Sequence, residues 1–445
     1  MMENNIVGFG PTAGNAKIVS GRNALGVLCA FSVLFVVKLT HGLNRILLHF
    51  LVKTAGVLLV ILISSNYSFS QDSEEPEKEK KYSLQGYVKD MATFIFMEDS
   101  TLIENLVHNR LNFEWFPTDN FTLHVGMRNR VFTGGRVKAD SIFAESIDTN
   151  NDYLNMSITW VDRDNLVIHS VFDRAYLEWI AGDWEITLGR QRINWGTNVA
   201  WNPNDLFNAY SFFDFDYEER PGSDALRVVR YLGVASSVET AVTIADSVEA
   251  MVTAGMFRFN KWNYDFQVIG GIAKGDVALG GGWAGNLKTA GFKGEFTYFI
   301  PFAERPGIDN AFAASAGIDY SFKNGVYVLG SYLFNSDGGK SLAPGQMFLF
   351  SNQQLSARSL IPFKHSALLM GTYQFHPLMN ANLSAMTFPG STAMFVNPGL
   401  TFSLTQSLDF SAIGQLFFME IPTGPGTTKY GALAKMVYVR LKWGF

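Results

Sequence analysis

The chain closes on G-A-L-A-K-M-V-Y-V-R-L-K-W-G-F, residues Gly431 to Phe445. Read with a period of two, Leu433, Val437, Val439, Leu441, Trp443 and Phe445 fall on one face, and Met436, Tyr438, Arg440 and Lys442 fall on the other. That is an extended strand with one side in an apolar medium and one in a polar medium. A lipid-facing ladder that finishes on aromatic residues is the pattern of a stave in a transmembrane β-barrel.

The bulk composition agrees. A chain of 445 residues is long enough for two or three soluble domains or for one large barrel. Hydrophobic content of 47% with mean hydropathy +0.08 is too low for a polytopic helical membrane protein. Charged content of 17% is low for a soluble enzyme, and the aromatic share of 14% is high. Abundant aromatics and few charges suit a wall with lipid outside and water inside. Cys29 is the only cysteine, so no disulfide framework or cysteine ligand set is available downstream. Residues 1–70 hold five basic residues and one acidic residue, which leaves 30 basic and 39 acidic residues in 71–445. A net charge of −9 over that part argues against nucleic acid as a partner.

Residues 1–43 form an unassigned N-terminal extension whose apolar run, Ala24 to Val37, is short for a bilayer span. Arg45 and Lys53, the apolar core at 55–63 and Ser68-Phe69-Ser70 before Gln71 have the layout of a secretory signal peptide over 44–70. Such a signal points to a translation start downstream of Met1, near Leu43. Asp72 to Lys81 is charged, and 71–81 reads as a periplasmic linker.

From residue 82 onward, alternating segments of about ten residues recur. In 105–131, Leu111, Phe113 and Trp115 oppose His108, Arg110, Asn112 and Glu114. Beyond the turn Pro117-Thr118-Asp119-Asn120, Phe121, Leu123, Val125 and Met127 oppose His124, Arg128 and Arg130. Short turns are expected near 117–120, 181–183, 235–237, 260–262, 286–288, 322–325, 376–379 and 404–406. Long connections are expected near 133–165, 193–223, 301–309, 336–365 and 420–430. The expected fold is all-β, a transmembrane antiparallel β-barrel over 82–445 of about 18 strands, with 16 or 20 as alternatives. The even count puts both termini in the periplasm, and the last strand should pair with the first near 82–96.

The most unusual text is 188–228, rich in aromatic and acidic residues and too long for a turn. It is the third long-side connection and is expected to fold inward. Alternation puts Arg110, Arg128, Arg130, Arg174 and Arg227 on inward faces, and the loop carries Asp214, Asp216, Glu218 and Glu219. Basic residues on one wall opposite an acidic loop give a transverse field that orients polar solutes. The same charges could instead pair and pin the loop to the wall; both readings stand. Alternation sends Arg190 and Arg192 outward, towards head-group phosphates, unless Gly189 marks a bulge. The loop's aromatics read as its own small core, with a sugar-stacking surface as the alternative.

No catalytic text is present. His108, His124 and His169 have no carboxylate or serine at a spacing that makes a triad or a metal site, and D-F-D-Y-E-E (214–219) lacks the spaced oxygens of a calcium loop. No enzyme activity, cofactor or metal is expected.

G-R-Q-R-I-N-W-G (189–196), N-P-x-D (202–205) and E-R-P-G-x-D-A-L-R (219–227) resemble a large group of porin-like Gram-negative outer-membrane barrels. The terminal strand, with Leu441, Trp443 and Phe445, is similar to the C-terminal signal that the barrel assembly machinery reads in that family. The resemblance implies an integral outer-membrane protein in contact with lipid and lipopolysaccharide. It also implies a channel for passive diffusion of small polar solutes constricted by 193–223, and leaves a homo-oligomer open. The alternatives are a barrel scaffold in a secretion or surface complex and, with no active-site text, an outer-membrane enzyme. A plugged transporter is disfavoured because no plug-sized domain precedes the first strand.

Overall fold

The computed structural model describes residues 80–97, 100–148, 152–209, 218–247, 249–302, 308–339, 355–424 and 427–445. The expectations for the extension, the signal peptide and most of the linker lie outside the described residues, as do Asp214 and Asp216.

The chain begins with β1 (Tyr82–Phe96), β2 (Thr101–Thr118) and β3 (Phe121–Gly134). Two five-residue helices, α1 (Gly135–Ala139) and α2 (Phe143–Ile147), lead to β4 (Ser157–Arg163), β5 (Leu166–Ala181) and β6 (Trp184–Gln191). After a long connection come β7 (Ser223–Gly233), β8 (Ser236–Thr243), β9 (Val252–Lys261), β10 (Tyr264–Ala273), β11 (Asp276–Leu287), β12 (Ala290–Pro301) and β13 (Ala311–Ser321). The wall is completed by β14 (Val326–Asn335), β15 (His365–His376), β16 (Met379–Thr387), β17 (Met394–Ser403), β18 (Leu408–Gly424) and β19 (Thr427–Gly444).

Every strand pairs antiparallel with its neighbours, and β19 pairs back onto β1. Eighteen of the strands are staves of the closed wall, as the alternation predicts. The nineteenth, β4, is a short addition. Both β3 and β4 pair with the first residues of β5, on opposite edges, and β6 takes over the second edge from Ala175 onward. Closure removes every sheet edge from the wall, which a barrel in lipid needs because hydrocarbon offers no hydrogen bonds.

Alternation explains the two surfaces. On β12, Glu295, Thr297 and Phe299 are buried while Phe296 and Tyr298 between them are exposed. Exposed large apolar residues recur in this phase around the outside, with Trp115, Trp184, Trp262, Tyr320 and Phe375 near the short-turn end. An apolar outer face with an aromatic girdle is the architecture of a transmembrane β-barrel.

The eight turns at that end are two or four residues long and fall where the sequence places them. The two-residue turn Trp262-Asn263 has φ of 55° and 61°, the mirror-image geometry that matches strand twist. The far end is less regular than expected. The connection near 133–165 holds α1, α2 and β4. The expected loop near 420–430 is instead the extended tip of the β18–β19 hairpin, whose strands pair out to Gly424 and Thr427.

The seam binds both chain ends. Gly86 N–H donates to the Phe445 carbonyl at 2.9 Å, and Phe445 N–H donates back to Gly86 at 3.0 Å. A Cβ on residue 86 would stand 2.2 Å from the Arg110 carbonyl oxygen and 2.9 Å from the Phe445 ring. Only glycine fits there.

Candidate functional site

The connection between β6 and β7 lies within the barrel in two described legs. The first, 193–209, runs against the inward faces of β8 to β18. Trp195 is fully buried and donates its indole N–H to Glu239 at 2.7 Å. Gln267 donates to the Trp195 carbonyl, and Glu295 accepts from the Thr197 N–H at 2.6 Å and its hydroxyl at 2.9 Å. Asn198 donates to Ser315, which donates on to the Trp201 carbonyl. These partners sit on β8, β10, β12 and β13. Ile193, Trp195, Leu206 and Phe207 share a core with inward residues of β7 to β13, while Ala200 and Trp201 pack with residues of β14 to β18.

In Asn202-Pro203-Asn204-Asp205 all four residues are buried. Asn204 donates to the Gly281 carbonyl at 3.0 Å and accepts from Thr297 at 2.7 Å. Gly196 is required beneath it, because a Cβ there would meet the Asn202 side chain at 2.4 Å. Burial pushes the Asp205 carboxyl up to about 7, against the pull of Arg192 and Arg220 and of the Trp195 and Asn208 backbone.

The second leg, 218–222, lies on the opposite wall. Glu218 accepts from Lys442 on β19 at 2.6 Å, with Lys89 of β1 and Arg440 of β19 each at 3.8 Å. Burial alone would raise its pKa; the three cations outweigh it and hold the carboxyl below the usual glutamate range. Glu219 accepts from the Tyr87 hydroxyl at 2.8 Å and lies 3.6 Å from Arg110. Arg174 donates to the Arg220 carbonyl at 2.5 Å. Lys442 also sits over the Tyr87 ring, 4.6 Å from its centroid.

Other residues singled out in the sequence have the following places. Arg110 is buried and pairs with Asp173 at 2.5 Å. Arg128 is buried on the inward face of β3, and Arg130 of the same strand donates to the Ile147 carbonyl and contacts His169 at 3.0 Å. Arg227 bonds Glu239 at 2.7 Å and Glu185. The structure therefore brings Arg110 to Glu219 and Arg174 to the adjacent backbone, while Arg227 serves the foot of the first leg through Glu239. Arg190 keeps the expected outward parity of Leu188, but the expectation that it faces head-group phosphates is corrected. Its guanidinium is buried, paired twice with Asp224 at 2.8 and 2.9 Å, and donates to the Leu154 carbonyl, so it is not presented to head groups. Gly189 has φ +119°, yet pairing on both sides of it keeps register, so no bulge is involved. Lys89, Tyr87, Glu239 and Glu295 are additional members of the site.

The inner surface is electrically uneven. Staves β19, β1, β2, β3 and β5 carry Lys89, Arg110, Arg128, Arg130, Arg174, Arg440 and Lys442, which outnumber the acidic Glu104, Glu114, Asp173 and Glu178 on the same side. The inward groups that hold the first leg are acidic or neutral, namely Glu239, Glu295, Gln267 and Ser315. Among the described residues no group of three or more His, Cys, Asp or Glu is placed to hold a metal ion.

No family model matches the sequence, and no curated protein matches it. Solved structures do. OccK11 (OpdR) of Pseudomonas aeruginosa aligns with a TM-score of 0.51 at 8% identity, over 85% of this chain and 99% of that one. OccK8 (OprE) of Pseudomonas aeruginosa gives 0.50 at 9% identity, over 82% of this chain and 98% of that one. Both neighbours are outer-membrane porins. At such identities the likeness carries the fold alone, a closed antiparallel β-barrel of 18 staves like theirs.

Proposed function

We propose that this chain is an outer-membrane channel for passive diffusion of small polar solutes, with the 193–223 segment narrowing its passage. The observation that carries the reading is that one connection is fastened to opposite walls, by Asn204 to β11 and β12 and by Glu218 to β1 and β19. Legs held on both sides of the barrel support the reading that this connection narrows the path of a solute. Barrels of this strand number are wide enough to leave an aqueous lumen.

The charged groups at the second leg are partly open to solvent, Glu218 at 33% and Lys442 at 27%. They are placed to meet a passing solute, with Arg110, Arg128, Arg130, Arg174 and Arg227 as the wall behind and beside them. Asp214 and Asp216, expected in the sequence to belong to this site, lie outside the described residues. Leu441, Trp443 and Phe445 are assigned as the strand the barrel assembly machinery reads; Phe445 is half-exposed at the seam. Planar-bilayer recording of the folded protein tests the reading: discrete conductance steps are expected, and a sealed bilayer overturns it.

A further inference from the structure

The short-turn rim of the barrel is not electrically uniform on its outer side. On β7, Leu226 and Leu232 are exposed, so Arg230, in phase between them, also faces outward, and it pairs across strands with Trp184 of β6. Its guanidinium carbon lies 5.0 Å from the centre of the Trp184 ring. Lys261 of β9, in phase with the exposed Phe257, holds its ammonium 4.4 Å from the centre of the Trp262 ring. Lys288 and Lys323 stand exposed in the next two turns, β11–β12 and β13–β14. Among the described residues none of these four cations makes a hydrogen bond or an ion pair. Staves sit about 4.8 Å apart, so the four follow one another at intervals of about 10 Å along the rim.

The wall above this row is flattened. The Tyr264 hydroxyl donates to the Asn286 carbonyl at 2.9 Å, which lays the ring across Gly285 of β11, where a Cβ would stand 2.4 Å from it. The Trp283 ring lies over Gly294 of β12 in the same way. Rings laid on glycines form a shallow apolar floor that runs from the cations towards mid-wall. The rest of the rim differs. The β15–β16 turn (Pro377-Leu378) and the β17–β18 turn (Leu404 to Ser407) carry no lysine or arginine, and the exposed Phe375, Leu378 and Leu404 there are apolar. In the five short turns from β5–β6 to β13–β14, Asp183 is the one acidic residue. Girdle tryptophans sit at head-group level, so a cation stacked on one is held in the plane of the lipid phosphates. The ring takes the face of the Arg230 guanidinium and leaves its edge N–H groups for a phosphate.

We propose that the outer short-turn rim from β6 to β14 is a docking site for anionic phospholipid of the periplasmic leaflet. Arg230, Lys261, Lys288 and Lys323 take the phosphodiesters, and the acyl chains lie on the floor of rings. Charge complementarity selects the occupant. Four cations without protein partners favour a lipid of net negative charge, and a head group that carries its own ammonium offsets its phosphate and gains less. Phosphatidylglycerol has the required charge and phosphatidylethanolamine does not. The proposal needs the barrel in its membrane with the short turns periplasmic, and it does not rest on channel activity.

The test uses the full folded protein in mild detergent, offered equimolar phosphatidylglycerol and phosphatidylethanolamine, with native mass spectrometry reading the lipids retained. The unmodified protein is expected to prefer phosphatidylglycerol by about tenfold or more. The combined variant Arg230→Gln, Lys261→Gln, Lys288→Gln and Lys323→Gln is expected to retain the two lipids equally. Lys81→Gln, at the start of β1 and away from the row, should keep the full preference. Lys261→Gln alone covers the case in which the combined variant fails to fold, and should lower the preference by about twofold or more. Equal retention by the unmodified protein, a preference kept in the folded combined variant or unchanged in Lys261→Gln, or the same loss in Lys81→Gln overturns the proposal.

Discussion

Glu218 and Lys442 are 224 residues apart in sequence, yet the Lys442 ammonium donates to the Glu218 carboxylate at 2.6 Å. The bond ties the far leg of an internal loop to the closing stave, at the position next to Trp443 of the outward ladder. The terminal strand thus has two jobs on two faces: its apolar side meets lipid, and its polar side holds the loop.

Glu218→Gln removes one negative charge from a site with Lys89, Arg440 and Lys442 around it. The variant is expected to favour anions more than the wild type, by roughly twofold or more in permeability ratio. Reversal potentials across a KCl gradient measure this. The cost in stability should stay below about 1 kcal/mol, because the carboxylate is one-third exposed. An unchanged reversal potential would place Glu218 away from the ion path.

Asp205 gives docking of the first leg a pH dependence. Its carboxyl titrates near 7, above the ordinary value of about 3.9, so the docked loop prefers it protonated. Its stabilising contribution is therefore fully present below about pH 4 and lost as pH rises through about 7. Protease sensitivity within 193–209 should rise between pH 5 and pH 8 in the wild type and stay flat in Asp205→Asn. The opposite slope would contradict the assignment.

Arg190 and Asp224 are both buried, and removing Asp224 leaves the guanidinium with the more distant Asp152 carboxylate at 3.8 Å. Asp224→Ala should destabilise the barrel by about 3–5 kcal/mol, and a paired apolar replacement of both residues by much less. Urea unfolding from lipid vesicles reads the difference. Equal losses would show that the pair is not coupled.

Gly86→Ala places a methyl group against the Arg110 carbonyl at the seam. The expected loss is about 3 kcal/mol, at the upper end of overpacking costs. It should appear as a drop in the heat-resistant folded band on electrophoresis.

The wall was legible because lipid outside and water inside impose a strict period of two on every stave. The parts that escaped are those where another force acts on the same residues. Pro422, Gly424, Pro425 and Gly426 read as a loop, yet the β18–β19 hairpin extends to Gly424 and Thr427. Ser157 to Arg163 alternates, but over too few residues to separate a strand from a long connection. Arg190 follows the outward parity of Leu188, and only the fold of the distant 152–156 segment over it, with Leu154 accepting its hydrogen bond, makes it buried.

The site was half legible. Alternation picks out Arg110, Arg128, Arg130 and Arg174 without knowing their partners, since Asp173 and Glu219 reach Arg110 only after closure. Lys89 was hidden because Asp90 beside it faces outward and spoils the polar–apolar rhythm of β1. The N-P-x-D text, noticed as a family resemblance, turns out to be the buried anchor of the first leg.

The most direct test of the central claim is single-channel conductance of the wild type against a variant lacking 204–217, which removes the Asn204 anchor and frees the segment. A constricting loop predicts a clearly larger conductance and weaker ion selectivity in the deletion. Equal conductance and selectivity in the two folded proteins would contradict it.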